Sequence, residues 1–373
     1  MRTWATISCS ALHDNFLAIA DILSPKTGIM AIVKANAYNH GAVEAAEIFA
    51  RAGAAYLAVA TIDEGIELRE SGINLPILVL GYTSPLCTNR LLHYELQQTV
   101  ISFEHAQQLG RAARDSGGVL GVHLKCDTGM ARLGFPCIGN TDYAADELIR
   151  AASVEGLEAC GIFTHFAESD APESPYTKQQ FACFQEVLEA LRVRRASFPL
   201  CHAANSAATI LNPETHLDLV RPGLVLYGIH PCEATRERCS LTPVMTFQST
   251  VSQLRTLAPG QSVSYGRTFT ADRPLVIAVV EAGYGDGLFR LLSNRGSVLI
   301  RGQRARLVGN ICMDRCMVDV TDLPSVEVGD SVVFFGTQDH SSLPVEEQAD
   351  LVGTIPYELL CAVSTRVPRV YSD

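Results

Sequence analysis

The stretch GIMAIVKANAYNHG, residues 28–41, begins as an apolar run and changes character at a lysine. Five consecutive apolar residues lead directly to Lys34, and Asn, Tyr, His and Gly follow within the next seven positions. A short run without polar alternation is typical of a strand that is buried on both faces of a parallel sheet. A lysine that ends such a strand is either a solvated terminus or a side chain held in place for chemistry.

Seven further runs of this kind follow before residue 230, separated by segments with apolar residues at intervals of three and four. The runs begin at residues 55, 76, 98, 121, 157, 199 and 217. Buried strands that alternate with amphipathic helices indicate a parallel sheet covered by helices, and eight such units predict a closed, TIM-like (β/α)8 barrel. An open doubly wound sheet would normally show a glycine-rich fingerprint after its first strand, where this chain has KANAYNHG.

The sequence pattern changes after about residue 235. Segments such as MTFQSTVSQLRTL, SVLIRGQRARLVG and SVVFFGT alternate polar and apolar residues between Gly and Pro turns. We therefore predict a barrel domain over residues 10–234 and a mainly β C-terminal domain over residues 235–373, which a strand within residues 1–9 joins. VEEQADLVG and PYELLCAV predict short helices near the end of the chain.

Composition excludes several classes of partner. The 373 residues carry a net charge of −11 without clustered Lys and Arg, which argues against nucleic-acid binding. Apolar stretches shorter than the roughly 18 residues that span a bilayer predict no membrane contact by this chain. Twelve scattered cysteines without paired CxxC motifs or a secretory leader predict reduced core thiols in a cytoplasmic protein. Cys312 and Cys316 lack a second ligand pair, so we expect no metal site.

Polar residues end or closely follow five of the eight apolar runs. In a (β/α)8 barrel, chemistry takes place at the carboxyl ends of the strands, so one mouth would collect these side chains. One such residue alone is usually structural, but agreement among five strands favours a functional site. The residues are Lys34, Lys125, Asp127, His165, Asn205, Ser206, Arg221 and Gly223.

These residue types suggest a particular cofactor. A lysine whose pKa is lowered by neighbouring cations, here such as Arg221, can form a Schiff base. Ser206 and Gly223 follow strands 7 and 8, where barrels of this architecture commonly bind phosphate. A Schiff-base lysine beside a phosphate cradle predicts a site for pyridoxal 5'-phosphate (PLP).

Nine motifs, in order over essentially the whole chain, resemble those of the alanine racemases. The motifs are AIVKANAYNHG, LKCDTGMARLGF, FTHFAESD, HAANSAA, VRPGLVLYGI, SYGRTF, AGYGDGLFR, GNICMDRCMVDV and IPYELLCAVSTRVPR. Members of this family are PLP enzymes with an N-terminal barrel and a C-terminal β domain. The resemblance implies the same fold and cofactor, and the interconversion of L- and D-alanine that supplies D-alanine for peptidoglycan.

The resemblance also implies two catalytic bases. Lys34 would bind PLP covalently and act on the D face of the substrate, and Tyr265 in SYGRTF would act on the L face. Racemisation needs bases on both faces because a single base would return the proton to the side it left. His165 and Arg221 would extend a hydrogen-bond chain from Tyr265 that favours its phenolate, and Arg221 would face the pyridine nitrogen.

Further contacts are implied position by position. Arg132 would contact the phenolic oxygen of PLP and the substrate carboxylate, oriented by Lys125, which relatives often carry as a carbamate. The implied cofactor-binding residues are Lys34, Tyr38, Arg132, His165, Asn205, Ser206, Arg221, Gly223, Leu224 and Tyr357. The implied substrate-binding residues are Arg132, Tyr284, Met313 and Tyr357. Tyr265, Tyr284 and Met313 would enter the site from a second subunit, which implies a homodimer with shared active sites.

Two positions depart from the family pattern, and three alternatives stay open. Asn310 stands where arginine is usual and Leu288 where an aromatic residue is usual, which affects the entrance and the interface.

A serine or dual serine/alanine racemase domain, tethered in vancomycin-resistance proteins to a membrane domain, fits the start at MRTWATIS equally well. Tyr357 favours alanine, since a smaller residue would make room for serine. A barrel-type decarboxylase would use a cysteine where SYGRTF has Tyr265, and non-catalytic PLP-binding proteins usually lack the C-terminal domain.

Overall fold

Parallel strands and helices alternate through the first part of the chain, and antiparallel strands dominate the rest. The computed structural model describes residues 2–373. Its strands are β1 (Thr3–Ser8), β2 (Gly28–Ile32), β3 (Tyr56–Val59), β4 (Ile77–Val79), β5 (Leu96–Val100), β6 (Leu120–Asp127), β7 (Phe135–Pro136), β8 (Leu157–Phe163), β9 (Leu200–His202), β10 (Leu219–Val220), β11 (Met245–Leu257), β12 (Ser262–Val263), β13 (Phe269–Thr270), β14 (Leu275–Val280), β15 (Ser297–Ile300), β16 (Gln303–Leu307), β17 (Cys316–Asp319), β18 (Ser331–Gln338), β19 (Ser341–Leu343) and β20 (Arg369–Ser372).

Helices follow most of the strands of the first part. They are α1 (Cys9–Asp21), α2 (Lys34–Asn39), α3 (Ala42–Ala52), α4 (Ile62–Glu70), α5 (Thr88–His93), α6 (Phe103–Asp115), α7 (Thr141–Ala152), α8 (Tyr176–Val193), α9 (Ser206–Leu211), α10 (Glu233–Arg236), α11 (Val345–Val352) and α12 (Pro356–Ala362). Short 3₁₀ helices cover Pro85–Cys87, Pro213–Thr215, Leu224–Tyr227, Tyr265–Arg267, Tyr284–Asp286 and Arg290–Leu292. Among residues 2–373, no helix combines the length and apolar character needed to cross a bilayer.

Eight parallel strands close into a barrel. Their order is β5-β4-β3-β2-β10-β9-β8-β6, and β6 pairs with β5 to complete the ring. Residues of β4 are all buried, as expected for a parallel sheet covered by helices on its outer face. The predicted barrel, with a mainly β region after it, is confirmed.

The eighth apolar run differs from its prediction. Only Leu219–Val220 pairs as a strand, and Leu224–Tyr227 forms a 3₁₀ helix that ends at Gly228 with a φ of 79°. Pro222 has no amide hydrogen for a strand ladder, so pairing stops before it. The apolar run that begins at residue 217 therefore pairs as a strand only near its start, although the position of this strand in the ring is as predicted.

Antiparallel strands of the C-terminal part form a second sheet. Six of them pair in a closed ring in which the long strand β11 contacts β18 through its first half and β14 through its second half. The ring order is β11-β18-β15-β16-β17-β14. Strand β1 pairs antiparallel with β11 and parallel with β20, so both ends of the chain lie in this sheet.

The chain divides into two compact units. The barrel unit comprises Leu12–Ala37 and Ala42–Thr242. The β unit comprises Tyr38–Gly41, Pro243–Asp373 and the start of the chain up to Ala11.

All twelve cysteines are free thiols, but the predicted core placement is wrong for Cys361, which is exposed.

Helix α2, directly after the first barrel strand, is left-handed. Ala35, Asn36, Ala37, Tyr38 and Asn39 have φ values between 52° and 65°. Residues with a Cβ pay about 1–2 kcal/mol each for this conformation, and such residues normally occur singly. Five in succession must therefore be held by contacts with the surrounding structure.

Side-chain oxygens and a side-chain amide supply those contacts. The Ala35 amide donates to Glu64 Oε1 at 2.7 Å, and the Ala42 amide donates to Asn36 Oδ1 at 2.8 Å. Within the β unit, Asn39 Nδ2 lies 2.6–3.2 Å from three backbone carbonyl oxygens. Those carbonyls belong to Leu360, Cys361 and Val363.

Substitution of the exposed Ala35 tests the left-handed turn. Ala35→Gly is expected to raise the free energy of unfolding by up to about 1 kcal/mol, because glycine adopts positive φ freely. Ala35→Val is expected to lower it by about 1–2 kcal/mol. Thermal and urea unfolding of the apo-protein measure both changes.

Ala182, exposed in the right-handed helix α8, is the matched control. Ala182→Gly is expected to cost about 0.5–1 kcal/mol, the opposite sign to Ala35→Gly. Equal losses from glycine at the two positions would contradict the left-handed geometry.

Candidate active site

Basic side chains crowd the carboxyl ends of the barrel strands. Four of them act electrostatically on His165: Lys34, Lys125, Arg132 and Arg221. Asp127 is the anion that acts on Lys125 against three of these cations. The structure thus brings together the predicted lysines, arginines and histidine in one strongly positive region of the barrel unit.

Lys125 carries the clearest electrostatic signature of this region. Burial, followed by the charges of Arg132 and Arg221, lowers the pKa of its amine to about 8. Its Nζ lies 5.7 Å from the ring centroid of Phe163, and the guanidinium carbon of Arg221 lies 5.1 Å from the same centroid. An aromatic face thus contacts both buried cations and offsets part of the cost of placing them together.

Arg221 is almost fully buried, and burial lowers the pKa of its guanidinium to about 9. Its Nη2 donates to the carbonyl oxygens of Thr164 at 2.7 Å and Ala203 at 3.0 Å. Nη2 also lies 3.3 Å from Nδ1 of His165, which is the longest of its contacts. Burial, Arg221 and the other cations hold the pKa of His165 well below its usual range, so its imidazole is neutral near pH 7.

The loop after β6 presents Arg132. Asp127 Oδ1 accepts hydrogen bonds from the amides of Gly129 and Ala131, both at 3.0 Å. Thr128 and Thr164 hydroxyls lie 2.6 Å apart and tie the start of this loop to the end of β8. The carboxylate therefore shapes the loop that carries the exposed Arg132, besides contributing negative charge.

Residues after the seventh and eighth strands also meet. The Gly223 amide donates to Ser206 Oγ at 2.8 Å, which joins the two predicted phosphate contacts. Asn205 caps α9 through its Oδ1, which accepts from the Ala208 amide. Leu224 is buried at the start of the 3₁₀ helix that follows Gly223.

Glu64 is a residue of this region that the sequence analysis missed. Its Oε1 accepts from the Ala35 amide, directly after Lys34, and its Oε2 accepts from the Ala60 amide at 2.7 Å. The carboxylate thereby ties the end of β2 to the end of β3. A Thr-x-x-Glu capping box at Thr61 was the available sequence signal, but it indicates only the start of α4.

Tyr265 is the most exposed aromatic side chain among the predicted site residues, with 74% of its surface accessible. It begins a 3₁₀ helix in the β unit, and the Asn310 side chain donates to its carbonyl oxygen at 2.7 Å. Ser264 Oγ donates to the Asn310 carbonyl oxygen at 2.5 Å. Asn310, one of the two departures from the family pattern, therefore braces the backbone of Tyr265.

Tyr284 and Met313 are linked to each other through the backbone of the β unit. The amides of Tyr284 and Gly285 donate to the carbonyl oxygens of Cys312 and Met313, at 3.0 and 2.9 Å. The buried carboxylate of Asp286 accepts from Arg2 and Arg366, at 3.0 and 2.8 Å. Leu288, the second departure, is buried, with 4% of its surface accessible.

A groove of about 890 Å³ on the β unit contains both Tyr265 and Met313 in its lining. These two side chains are 74% and 54% exposed. Elsewhere in the β unit, the rings of Tyr38 and Tyr357 pack with centroids 5.8 Å apart. Burial, followed by Tyr357 and Cys361, raises the pKa of Tyr38 above its ordinary value, so its phenol stays protonated.

The closed barrel with basic residues at its strand ends, followed by a mainly β region, is the architecture expected of the barrel-type amino-acid racemases. Family models for the alanine racemase N-terminal domain and C-terminal domain match residues 7–231 and 244–371. The chain therefore belongs to the alanine racemase family.

Individual relatives agree with this assignment. The chain is 44% identical over 369 residues to an alanine racemase of Desulforamulus reducens, covering 99% of this chain and 98% of the relative. A solved alanine racemase of Clostridium difficile 630 superposes with a TM-score of 0.93 at 37% identity, covering 100% and 96% of the two chains. A structure of alanine racemase from Bacillus anthracis with bound L-Ala-P gives 0.93 at 32% identity, covering 100% and 95%.

The lowered pKa of Lys125 predicts a pH-dependent stability. Its ordinary pKa is 10.5 and its pKa in the fold is about 8, so between these values the unfolded chain binds more protons than the folded protein. The free energy of unfolding should therefore rise across this window, relative to Lys125→Met, by roughly 3 kcal/mol. Urea titrations at several pH values in CO2-free buffer measure the difference.

Lys178→Met, at an exposed position of α8, is the control for removal of a lysine. The free energy of unfolding of this variant should follow that of the native protein across the window. If Lys125→Met behaves in the same way as Lys178→Met, the lowered pKa of Lys125 is contradicted.

Proposed function

We propose that this protein is a PLP-dependent alanine racemase that uses two bases. The observation that carries the proposal is the group of four cations around the neutral His165 in one barrel mouth. Cations gathered in one place are costly without anions, and Asp127 is the anion that acts on Lys125 there. PLP brings a phosphate and a phenolic oxygen, and an amino-acid substrate brings a carboxylate.

The residues present fit PLP. Lys34, placed between the last residue of β2 and the left-handed turn, is the residue we assign to hold the cofactor covalently. Ser206 and Gly223, already joined by a hydrogen bond, are assigned to the phosphate, together with Asn205, Leu224, Tyr38 and Tyr357. Bound PLP supplies the electron sink that makes the α proton of alanine acidic.

The two bases are Lys34 and Tyr265. We assign the Nζ of Lys34 to the proton on one face of the α carbon and the Oη of Tyr265 to the proton on the other face. Exchange between the faces inverts the configuration, which a single base does not achieve. His165, neutral and beside Arg221, is assigned as the hydrogen-bond partner of Tyr265.

Arg221 is assigned to the pyridine nitrogen of the cofactor. Arginine has no acceptor and remains protonated, so it does not protonate that nitrogen as a carboxylic acid would. Arg132 is assigned to the substrate carboxylate and the phenolic oxygen. With a pKa of about 8, the amine of Lys125 is partly uncharged at neutral pH, which favours its reaction with CO2 to a carbamate that orients Arg132.

We assign the active form as a homodimer with shared sites. Support comes from the β unit, where Tyr265, Tyr284 and Met313 are 74%, 45% and 54% exposed. In this proposal each chain gives these three residues to the site of its partner.

The product D-alanine would serve peptidoglycan synthesis. The twelve free thiols are typical of the reducing cytoplasm, where we expect the enzyme to work.

Alanine is the proposed substrate rather than serine. Tyr357, packed against Tyr38 in the β unit, is a bulky aromatic residue at the position assigned to the substrate pocket. A smaller polar residue would leave room for the hydroxyl of serine. An apolar pocket rejects an added hydroxyl by only about 10²-fold, so some activity with serine is compatible with this assignment.

The decisive experiment combines substrate comparison with subunit exchange. With added PLP, the native protein should racemise L-alanine with a higher kcat/KM than L-serine. Lys34→Ala and Tyr265→Phe should each lower racemisation by about 10²–10⁴-fold, and only Tyr265→Phe should keep the Schiff-base absorbance. Mixing the two variants should restore about a quarter of the native activity, because about half of the dimers become hybrids with one intact site in two.

A mixture of two Lys34→Ala preparations, one of them tagged, is the control for exchange itself and should stay inactive. Failure of the native protein to racemise either amino acid would overturn the proposed function. Activity in Tyr265→Phe would overturn the second base, and a mixture without recovery, despite hybrids seen by the tag, would overturn the shared site.

A further inference from the structure

A chain of hydrogen bonds leads from Arg221 into the interior of the barrel. Arg221 Nη1 lies 2.8 Å from His202 Nδ1, and His202 Nε2 lies 2.8 Å from His123 Nδ1. His123 Nε2 lies 3.0 Å from Gln97 Oε1. Both imidazoles are fully buried, and 4% of Arg221 is accessible.

Donor and acceptor chemistry fixes the direction of this chain. Arginine can only donate, so His202 Nδ1 must be a bare acceptor, and the ring proton of His202 lies on Nε2. That proton is donated to His123 Nδ1, which must also be bare. His123 therefore carries its proton on Nε2 and donates it to the carbonyl oxygen of the Gln97 side chain. Each step leaves a single arrangement, in which both imidazoles are neutral.

Burial and charge agree with this arrangement. Burial, followed by the charge of Arg221, lowers the pKa of His123 to about 3. Burial, followed by Arg221 and His123, holds the pKa of His202 well below its usual range. Neither ring therefore takes up a second proton near neutral pH, and Arg221 faces an acceptor that stays neutral.

The barrel makes specific room for the two rings. A Cβ at Gly161 of β8 would lie 2.4 Å from His123 Nδ1, so glycine leaves space for the imidazole. The ring of His202 stacks on Phe163 with centroids 4.7 Å apart and planes 7° apart. Tyr56 meets His123 edge-on at 5.9 Å. Phe163 therefore restricts the orientation of the His202 ring, and Tyr56 and the backbone at Gly161 restrict that of His123.

Among residues 2–373, the hydrogen-bond partners of Arg221 are all neutral: His202, His165, Thr164 and Ala203. A carboxylate at the place of His202 would hold the guanidinium equally well but would cancel its charge. We infer that His202 and His123 are positioning residues for Arg221, which they hold through neutral acceptors so that its positive charge stays available to the cofactor. This inference rests on the proposed function for its catalytic consequence.

Two substitutions of His202 separate positioning from packing. Asparagine places an acceptor oxygen near the position of Nδ1, whereas leucine fills the space without an acceptor. His202→Leu should lower kcat/KM for alanine by about 10–100-fold and change the absorbance of bound PLP, because it leaves a buried N–H of Arg221 without an acceptor. His202→Asn should remain within about 10-fold of the native protein, with native absorbance. A packing role alone would reverse this order.

His216 supplies the matched control. It is a buried histidine of the barrel unit whose Nε2 lies 2.8 Å from the Thr209 carbonyl oxygen, outside the chain from Arg221. His216→Asn and His216→Leu should leave the absorbance of bound PLP unchanged. If His202→Leu matches the native protein in absorbance and kcat/KM, or if His202→Asn loses as much as His202→Leu, the positioning role is overturned.

Nuclear magnetic resonance of 15N-histidine-labelled native protein, without cofactor, tests the chain itself. At about pH 7 both rings should show an unprotonated Nδ1 and a protonated Nε2. Loss of signals in His123→Asn and His202→Asn assigns them. A doubly protonated ring, or a proton on Nδ1 of His202, would overturn the inference even if the protein racemises alanine normally. A chain with the expected tautomers in a protein without racemase activity would instead overturn the proposed function.

Discussion

Positive charge confined to the mouth of one barrel is the constraint on which the other features depend. Lys34, Lys125, Arg132 and Arg221 all act on His165. Cations that lie close together and partly out of water lower one another's pKa values and oppose the binding of further protons. The fold tolerates them through acceptors that are neutral, through the face of Phe163, and through the carboxylate of Asp127. A dianionic cofactor and an anionic substrate would relieve the remaining imbalance.

Two carboxylates hold the backbone next to the basic residues Lys34 and Arg132. Glu64 fixes the turn after Lys34 by accepting from the Ala35 amide, and Asp127 fixes the loop before Arg132. Both carboxylates direct their oxygens to backbone amides. These two carboxylates therefore position the backbone that carries the basic side chains. Because their oxygens bind backbone amides, the basic side chains remain available to ligands.

The sequence predicted the barrel well because buried parallel strands carry a strong signal. All eight apolar runs contain barrel strands, and the polar residues that follow them meet in one place. It did not predict the left-handed turn, because KANAYN contains no glycine and positive φ values there come from contacts with Glu64 and other distant residues. The truncated eighth strand follows from Pro222, whose effect the apolar pattern concealed.

The two histidines of the inferred hydrogen-bond chain, His123 and His202, were not among the predicted site residues. His123 lies two residues before Lys125 and so points to the same face of β6, one layer below the mouth. His202 is the last residue of β9, whereas the predicted site residues there were Asn205 and Ser206, which follow it. A polar residue on the inward face of an otherwise apolar run was the available signal. The exposure of Tyr265 agrees with the family resemblance, which implied a role for this residue in a second subunit, but alternation of polar and apolar residues alone gave no sign of it.

We propose that the basic mouth binds a phosphorylated pyridoxal. Calorimetric titration of the apo-protein with PLP and with pyridoxal, which has the same aldehyde without the phosphate, tests this claim most directly. We expect PLP to bind at least about 100-fold more tightly, with a difference that shrinks as salt is added, because charge-assisted hydrogen bonds to the phosphate supply the gain. Equal dissociation constants for the two compounds, or a difference insensitive to salt, would contradict it.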